Sequence, residues 1–218
     1  MEKPILFNTE MVKAILNGKK TTTRRIIKRT PSNDEPSGYG FWKSYEERDG
    51  RWYIKDYTHS PCWLTLEEYI SKFSKYHVGD IIYVRETWCD RWLPDGFLQG
   101  KDRYGYKADG IPSYGYWGNE NQCKDNVWIP SIHMPKKAAR IFLKVTEVRV
   151  ERLQNITYDD LISEGTEMPR FATEEALRVN FRKLWDSTLK KEQLKTYGWD
   201  ANPWIWVISF KKCENPNG

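Results

Sequence analysis

The sequence predicts a single domain of the α+β class, in which a small β-barrel is flanked by helices. Strand candidates outnumber helix candidates, and they do not alternate with helices as a parallel α/β sheet would require. The longest strand candidate, Ala139 to Glu151, alternates apolar residues along much of its length, and Trp204 to Phe210 is a nearly continuous apolar strand. A chain of 218 residues with 39% hydrophobic residues can bury one substantial core. We therefore expect one domain spanning 1–218.

Helix signals in the first half are local and specific. Asn8 or Thr9 can cap a first helix, and Gly18 supplies a left-handed end to it. The segment Thr65-Leu-Glu-Glu68 fits a capping box that opens a second helix. A turn at Gly79-Asp80 precedes an apolar strand. Short strands are expected at 5–7, 24–27 and 81–84.

Two further helices are expected in the second half. Thr157 caps a short helix that ends at Gly165, and Ala172-Thr173 opens a longer amphipathic helix. The alternation of the long strand slips after Val145, which hints at a bulge.

Two irregular insertions interrupt these elements, at about 30–60 and 90–130. Both are rich in Gly, Tyr and charged residues, and the first contains a possible hairpin at Asp49-Gly50. Structureless connections of this length are uncommon unless they cover a site. We expect the insertions to lie over or beside the binding site and to offer stacking faces from their tryptophans, which are Trp42, Trp52, Trp92, Trp117 and Trp128.

The positive charge of the chain is concentrated in one run, KKTTTRRIIKR, at positions 19–29. The chain has a net charge of +5, but outside this run 29 basic residues face 30 acidic ones. Such a cluster, just past a helix end, is suited to an anion, most simply a nucleic-acid phosphate or a nucleotide. The alternative is a solvated basic turn. The basic residues of the run are Lys19, Lys20, Arg24, Arg25, Lys28 and Arg29.

Several classes of protein find no support in the sequence. No segment approaches the roughly 20 apolar residues of a membrane span, and the N-terminus lacks the apolar region of a signal peptide. The four cysteines form no CxxC pair, and neither a Gly-rich phosphate loop nor a GxSxG elbow is present. We therefore expect a cytoplasmic protein with no metal and no cofactor.

Several blocks of sequence resemble one known family. GKKTTTRR after the first helix, GDIIYVRETW, a long strand followed by a short helix ending in EG, and the final WVISF resemble the ASCH domain. The blocks HMPKKAARIFLKVTEVRVERLQNIT and YGWDANPWIWVISF are similar to prophage-encoded bacterial ASCH proteins. The resemblance covers 4–29, 78–88, 131–165 and 181–210. It implies a PUA-like β-barrel as the fold.

The resemblance also implies roles for individual residues. The family pattern Gly-x-Lys-x-x-Thr-x-Arg is met by Gly18, Lys20, Thr23 and Arg25. Some small bacterial members are amidohydrolases of 4-acetylcytidine, and their catalytic set would fall here on Lys20, Thr23 and Glu164. In that reaction a lysine activates the threonine hydroxyl, and the carboxylate carries the proton to the leaving amine.

Structural roles for the same three residues remain open. Lys20 could contact carbonyls at the helix end, Thr23 could be an ordinary strand residue, and Glu164 could form an ion pair with Arg25. This chain is also much longer than the small hydrolases. We therefore expect binding of RNA or of a modified nucleoside or nucleotide, with amidohydrolase activity as an alternative and a phage-associated protein-interaction module as a third. The sequence does not give the oligomeric state.

The remaining candidates are binding residues. The run would contribute Arg24, Arg25, Lys28 and Arg29 to a phosphate. Glu86 could accept hydrogen bonds from a cytosine edge or pair with Arg25, Trp88 could stack on a base, and His133 could act as a base or donor. The alternatives are a surface pair of Arg85 with Glu86 and an ordinary loop histidine. We expect one concave site to contain Lys20, Thr23, Arg25, Glu86 and Glu164.

Overall fold

A computed structural model describes residues 2–27, 45–48, 51–56, 62–90, 104–110, 128–166 and 173–216. Most of the two predicted insertions therefore lies outside the described residues. Their position over a binding site and the stacking role of their tryptophans stay predictions.

The described chain contains ten strands and five α-helices, and this confirms the α+β class. The strands are β1 (Glu2–Leu6), β2 (Thr22–Ile26), β3 (Tyr45–Arg48), β4 (Arg51–Asp56), β5 (Cys62–Thr65), β6 (Ile81–Arg85), β7 (Trp88–Asp90), β8 (Tyr104–Tyr106), β9 (Phe142–Arg152) and β10 (Trp204–Cys213). The helices are α1 (Thr9–Leu16), α2 (Leu66–Phe73), α3 (Tyr158–Ser163), α4 (Glu174–Ser187) and α5 (Lys191–Tyr197). Among the described residues, no helix is long and apolar enough to cross a membrane.

Five strands form the principal sheet, in the order β1-β6-β9-β10-β2. β1 runs parallel to β6, whereas β6 with β9 and β10 with β2 are antiparallel pairs. In the described part of the chain, β1 and β2 are the outer strands of this sheet, and no strand pairing closes it into a barrel.

A three-stranded antiparallel sheet, β3-β4-β5, lies in the region of the first insertion. Arg48 pairs with Arg51 in register, so β3 and β4 form the two antiparallel arms of the hairpin expected there, while Asp49 and Gly50 lie outside the described residues. A small two-stranded sheet, β7-β8, follows later in the chain.

The chain divides into two compact units. The first comprises Met1–Lys20, Asp80–Lys144 and Lys211–Gly218. It contains β1 and β6 with the buried side chains of Ile5, Ile82 and Val84, as well as a buried cluster of Trp88, Tyr104, Tyr106, Met134 and Ala138.

The second unit comprises Thr21–Gly79 and Val145–Phe210. One apolar cluster joins α3 and α4 to β10, because these helices place apolar stripes against alternate strand residues. The cluster contains Leu153, Ile156, Leu161, Leu177, Phe181, Trp185, Ile205 and Val207.

Local hydrogen bonds explain where the helices begin and end. The Asn8 side chain accepts from the backbone N–H of Met11, and Gly18 has a φ of 70°, so both predicted ends of α1 are confirmed. Reciprocal capping boxes at Thr65 and Thr157 open α2 and α3, and Thr173 caps α4.

Candidate functional site

The strand β2 carries residues of the basic run on both of its faces. Successive residues of a strand point to opposite faces, so Thr22 and Arg24 share one face while Thr23 and Arg25 share the other. On β10, Arg24 lies opposite Val207 and Arg25 lies opposite Trp206. Adjacent arginines of the run therefore occupy different chemical environments.

Arg24 is almost fully buried, with 3% of its surface exposed, and it is surrounded by carboxylates. Its Nη2 lies 2.8 Å from Glu151 Oε1 and 3.2 Å from Asp160 Oδ2, and its Nη1 lies 3.1 Å from Glu164 Oε1. The charge of Arg24 is thus compensated inside the protein. A ligand phosphate would have to displace carboxylates in order to bind it.

Arg149 on β9 extends this arrangement. It donates to Glu151, Asp160 and Glu147, and Glu147 also accepts from the Ser209 hydroxyl. We call this set the Arg24 network, and its members are Arg24, Arg149, Glu147, Glu151, Asp160 and Glu164. Burial alone would raise the pKa of Asp160. The charge of Arg24, the hydrogen bonds from Thr157 and the charge of Arg149 outweigh this effect, so the pKa of Asp160 lies below its ordinary value.

Glu164 is placed by the end of α3. The capping box at Thr157 fixes the start of this helix, and the backbone N–H of Thr21 donates to the Ser163 carbonyl at 2.8 Å. Gly165 follows with a φ of 72°, where a left-handed backbone ends the helix. These contacts hold the Glu164 carboxylate, which is 6% exposed, beside the first residues of β2.

Arg25 is half-buried and interacts with a second set of groups. Burial lowers the pKa of the Arg25 guanidinium, and the nearby Glu164 carboxylate and Tyr76 oppose that shift. Glu164 therefore interacts with both arginines, forming an ion pair with Arg24 and acting electrostatically on Arg25.

The face of β2 and β10 that carries Thr23 and Arg25 is covered by aromatic residues. Thr23 lies opposite Ile208 and is only 1% exposed. Trp206, opposite Arg25, stacks on Tyr69 of α2 with ring centroids 5.6 Å apart and an angle of 16° between the planes. This face thus combines buried polar groups with large flat rings.

Lys20 belongs to the first unit and is also buried, with 2% of its surface exposed. Its backbone N–H donates to the Ala14 carbonyl at the end of α1. Its ammonium group lies 5.7 Å from the ring centroid of Phe7, which is within the range of a cation–π interaction. Thr23 and Glu164 belong to the second unit, so the predicted convergence of the whole motif stays a prediction.

Glu86 in the first unit has a partner that the sequence analysis did not consider. It is 1% exposed and accepts two hydrogen bonds from Arg140, at 2.9 and 3.1 Å. Arg140 also donates to Asp109 and lies 3.9 Å from the ring centroid of Tyr106. The surface pair of Arg85 with Glu86 is therefore wrong. Burial raises the pKa of Glu86, while the hydrogen bonds from Arg140 oppose the shift.

Among the remaining candidates, Trp88 is less available to a ligand than expected. Trp88 is buried in its core cluster and forms a T-shaped pair with Tyr104, with ring centroids 5.6 Å apart. His133 is exposed in a short 3-10 turn. Lys28 and Arg29 lie outside the described residues.

Within the second unit, the structure brings Arg24, Arg25 and Glu164 together, and Thr23 directly precedes the two arginines on β2. Sequence reasoning missed Tyr76 and the partners of Arg24. A signal for the latter existed, because Glu147, Arg149 and Glu151 alternate along β9 and so had to share a face.

Comparison with known proteins adds little to this description. No family model matches the chain, and no curated protein matches it. The chain is similar to a solved structure described as the ASCH domain from Lactobacillus crispatus JV V101, with 11% sequence identity and a TM-score of 0.35. The match covers 97% of this chain and 79% of the chain in that structure. This is the family that the sequence motifs resemble.

Proposed function

We propose that the chain binds an uncharged modified nucleoside next to β2 in the second unit, with Arg25, Glu164 and Thr23 as the polar contacts. The observation that carries the proposal is that Thr23 and Glu164 are buried, with Arg25 half-buried beside them, on one short strand and the adjoining helix end. Burial of charged and polar groups costs free energy, and such groups cluster at functional sites.

Low exposure supports a small ligand over an RNA strand. Thr23 and Glu164 expose only 1% and 6% of their surfaces, so a strand lying across the protein would not reach them. A single nucleoside can enter a pocket of mostly apolar walls with a few placed polar groups, which is the usual form of a small-molecule site.

Charge supports an uncharged ligand over a nucleotide. The Arg24 network holds two arginines and four carboxylates, and Arg25 brings the arginines to three. The set is negative by one charge, so a phosphate placed there would meet net repulsion. A nucleoside offers instead a carbonyl oxygen for the Arg25 guanidinium and an amino group for the Glu164 carboxylate.

The scaffold is part of the proposal. The ASCH-like motifs lie on β1, β2, β6, β9 and β10, which are the strands of the five-stranded sheet. We infer that this sheet is the wall of a PUA-like barrel.

Titration calorimetry with 4-acetylcytidine and cytidine tests the proposal. We expect the wild-type protein to bind at least one of them, to bind cytidine monophosphate more weakly, and to lose at least tenfold in affinity on Arg25→Gln, because a hydrogen bond to a charged group contributes about 1.5–3 kcal/mol. Arg182→Gln is the matched control, since its ion pair with Asp200 lies at the surface. An affinity unchanged by Arg25→Gln would contradict the site.

Single-stranded RNA is the competing ligand in the same experiment. If the basic run binds phosphates, the logarithm of the RNA affinity falls with the logarithm of salt by about 0.7 for each contact. RNA binding with a steep slope, together with no nucleoside binding, would replace this proposal. No binding of either ligand would favour the protein-interaction module.

Amidohydrolase activity is the second candidate, and the burial of Thr23 and Glu164 favours it. We expect Thr23→Val to abolish release of cytidine from 4-acetylcytidine, because valine keeps the β-branched shape and lacks the hydroxyl oxygen. Chromatography measures the product, and calorimetry checks that the variant still binds. Glu164→Gln should also reduce turnover. Full turnover by Thr23→Val would exclude this hydroxyl as the nucleophile.

A further inference from the structure

Tyr76 is a buried polar residue beside the proposed site to which neither the motif nor the sequence analysis gives a role. It follows α2 by three positions and precedes Gly79. The Tyr76 phenol and the Arg25 guanidinium interact electrostatically.

The backbone at Tyr76 is held by a single side chain. The Ser74 hydroxyl donates to the Tyr76 carbonyl at 2.6 Å and accepts from the Tyr76 N–H at 3.2 Å. Ser74 is itself buried, and its own N–H completes α2 by donating to the Ile70 carbonyl. The end of the helix thus continues into a tight turn, which fixes the backbone position from which the Tyr76 side chain extends.

The strand register independently places Arg25 on the side of the sheet that faces α2. Arg25 pairs with Trp206, and directly opposed residues of an antiparallel pair point to the same face. Trp206 stacks on Tyr69, which belongs to α2, and Tyr69 packs on Phe73 near the end of that helix. The chain then reaches Ser74 and Tyr76 directly.

The phenol is neutral at physiological pH. Burial raises the pKa of Tyr76 to about 12, although the charge of Arg25 acts in the opposite direction. A neutral phenol oxygen can accept a hydrogen bond from a guanidinium while its O–H donates elsewhere. A carboxylate in this position would add another negative charge to the site, whereas the phenol orients Arg25 without doing so.

We propose that Tyr76 is a positioning residue, which holds the Arg25 guanidinium in the orientation that receives a carbonyl oxygen of the ligand. This inference rests on the proposed nucleoside site. Tyr76 would then act on binding through Arg25 and have no effect of its own once Arg25 is removed.

A double-mutant cycle measures this dependence. Calorimetry with 4-acetylcytidine compares wild type, Tyr76→Phe, Arg25→Gln and the double variant. We expect Tyr76→Phe to weaken binding about tenfold, as expected for the loss of one hydrogen bond to a charged group. The double variant should bind as weakly as Arg25→Gln alone. A tyrosine with a merely structural role would instead weaken both backgrounds equally.

Two further variants complete the experiment. Tyr158→Phe is the matched control, because Tyr158 is exposed on α3 in the same unit, and its affinity should equal that of wild type. Ser74→Ala keeps the phenol but loosens its turn, so it should weaken binding only when Arg25 is present, and it replaces Tyr76→Phe if that variant does not fold.

The outcomes separate this inference from the function on which it rests. If the wild type binds no nucleoside, the proposed function fails and the role of Tyr76 fails with it. If the wild type binds but the losses from Tyr76→Phe and Arg25→Gln add, only the role of Tyr76 is overturned.

Discussion

Arg24→Gln is expected to lower the free energy of unfolding by about 3–5 kcal/mol at neutral pH, the cost typical of removing one partner from a buried ion pair. Arg24 lies within 3.2 Å of Glu151, Asp160 and Glu164, and it is itself almost fully buried. Without the guanidinium, these carboxylates would face one another in a poorly solvated place. Urea-induced unfolding followed by circular dichroism measures the change.

The pH dependence distinguishes this cause from lost packing. In the variant, the three carboxylates repel one another while they are ionised, so the loss of stability is largest at neutral pH and smaller in acid. In the wild type, Asp160 has a lowered pKa and its contribution is lost as pH falls through that pKa. The difference in free energy of unfolding between the wild type and Arg24→Gln should therefore decrease from pH 7 to about pH 4.

Arg182→Gln serves as the control for charge removal, because Arg182 and Asp200 pair at the surface and should contribute less than about 1 kcal/mol. A loss of stability at Arg24 no larger than that at Arg182, or a gap that is constant with pH, would contradict a central role of Arg24 in the network.

Arg140→Gln should destabilise the protein much more than Glu86→Gln, although both break the same ion pair. Arg140→Gln leaves the carboxylate of Glu86, which is 1% exposed, without its two hydrogen bonds, at a cost of about 3–5 kcal/mol. Glu86→Gln leaves no buried anion, and Arg140 keeps Asp109, so the cost should be about 1–2 kcal/mol. Thermal unfolding of both variants measures the difference.

The raised pKa of Glu86 predicts how the difference in stability between the two variants depends on pH. A carboxyl group with a raised pKa in the folded state contributes stability at low pH that is lost as pH rises through that pKa. The loss of stability caused by Arg140→Gln, relative to the wild type, should therefore be smaller near pH 4 than at pH 7. Equal losses in the two variants would mean that the pair acts through packing on Tyr106 alone.

Local signals predicted most of the regular structure. Helix starts marked by Asn8, Thr65 and Thr157 follow from side-chain hydrogen bonds that span three residues, and a sequence displays these directly. The end of α1 at Gly18 follows from its left-handed backbone, which glycine adopts readily. Helix α5 was missed because its residues form no apolar stripe. It is tied to α4 by tertiary hydrogen bonds, such as the one from Trp185 Nε1 to the Tyr197 carbonyl at 2.8 Å.

The site was predicted only in part, for a different physical reason. Composition identifies a basic run, but it does not say which of its charges are compensated by residues more than a hundred positions away. Arg24 meets Glu151 across 127 positions and Glu164 across 140. Tyr76 could not be found from spacing, because its role depends on the turn at Ser74 and on the register of β2 with β10.

The alternation of side chains along β2 also affects how this chain can evolve. Arg24 and Arg25 are neighbours in sequence, but different contacts constrain them. Arg24 forms ion pairs with the carboxylates of the Arg24 network, whereas Arg25 faces the proposed ligand. A substitution at position 24 requires compensating changes at distant acidic positions. Position 25 meets that network through Glu164, so it can change together with Tyr76 while the contacts of Arg24 with Glu151 and Asp160 remain. A descendant could then acquire a new ligand while keeping the framework that holds the strand.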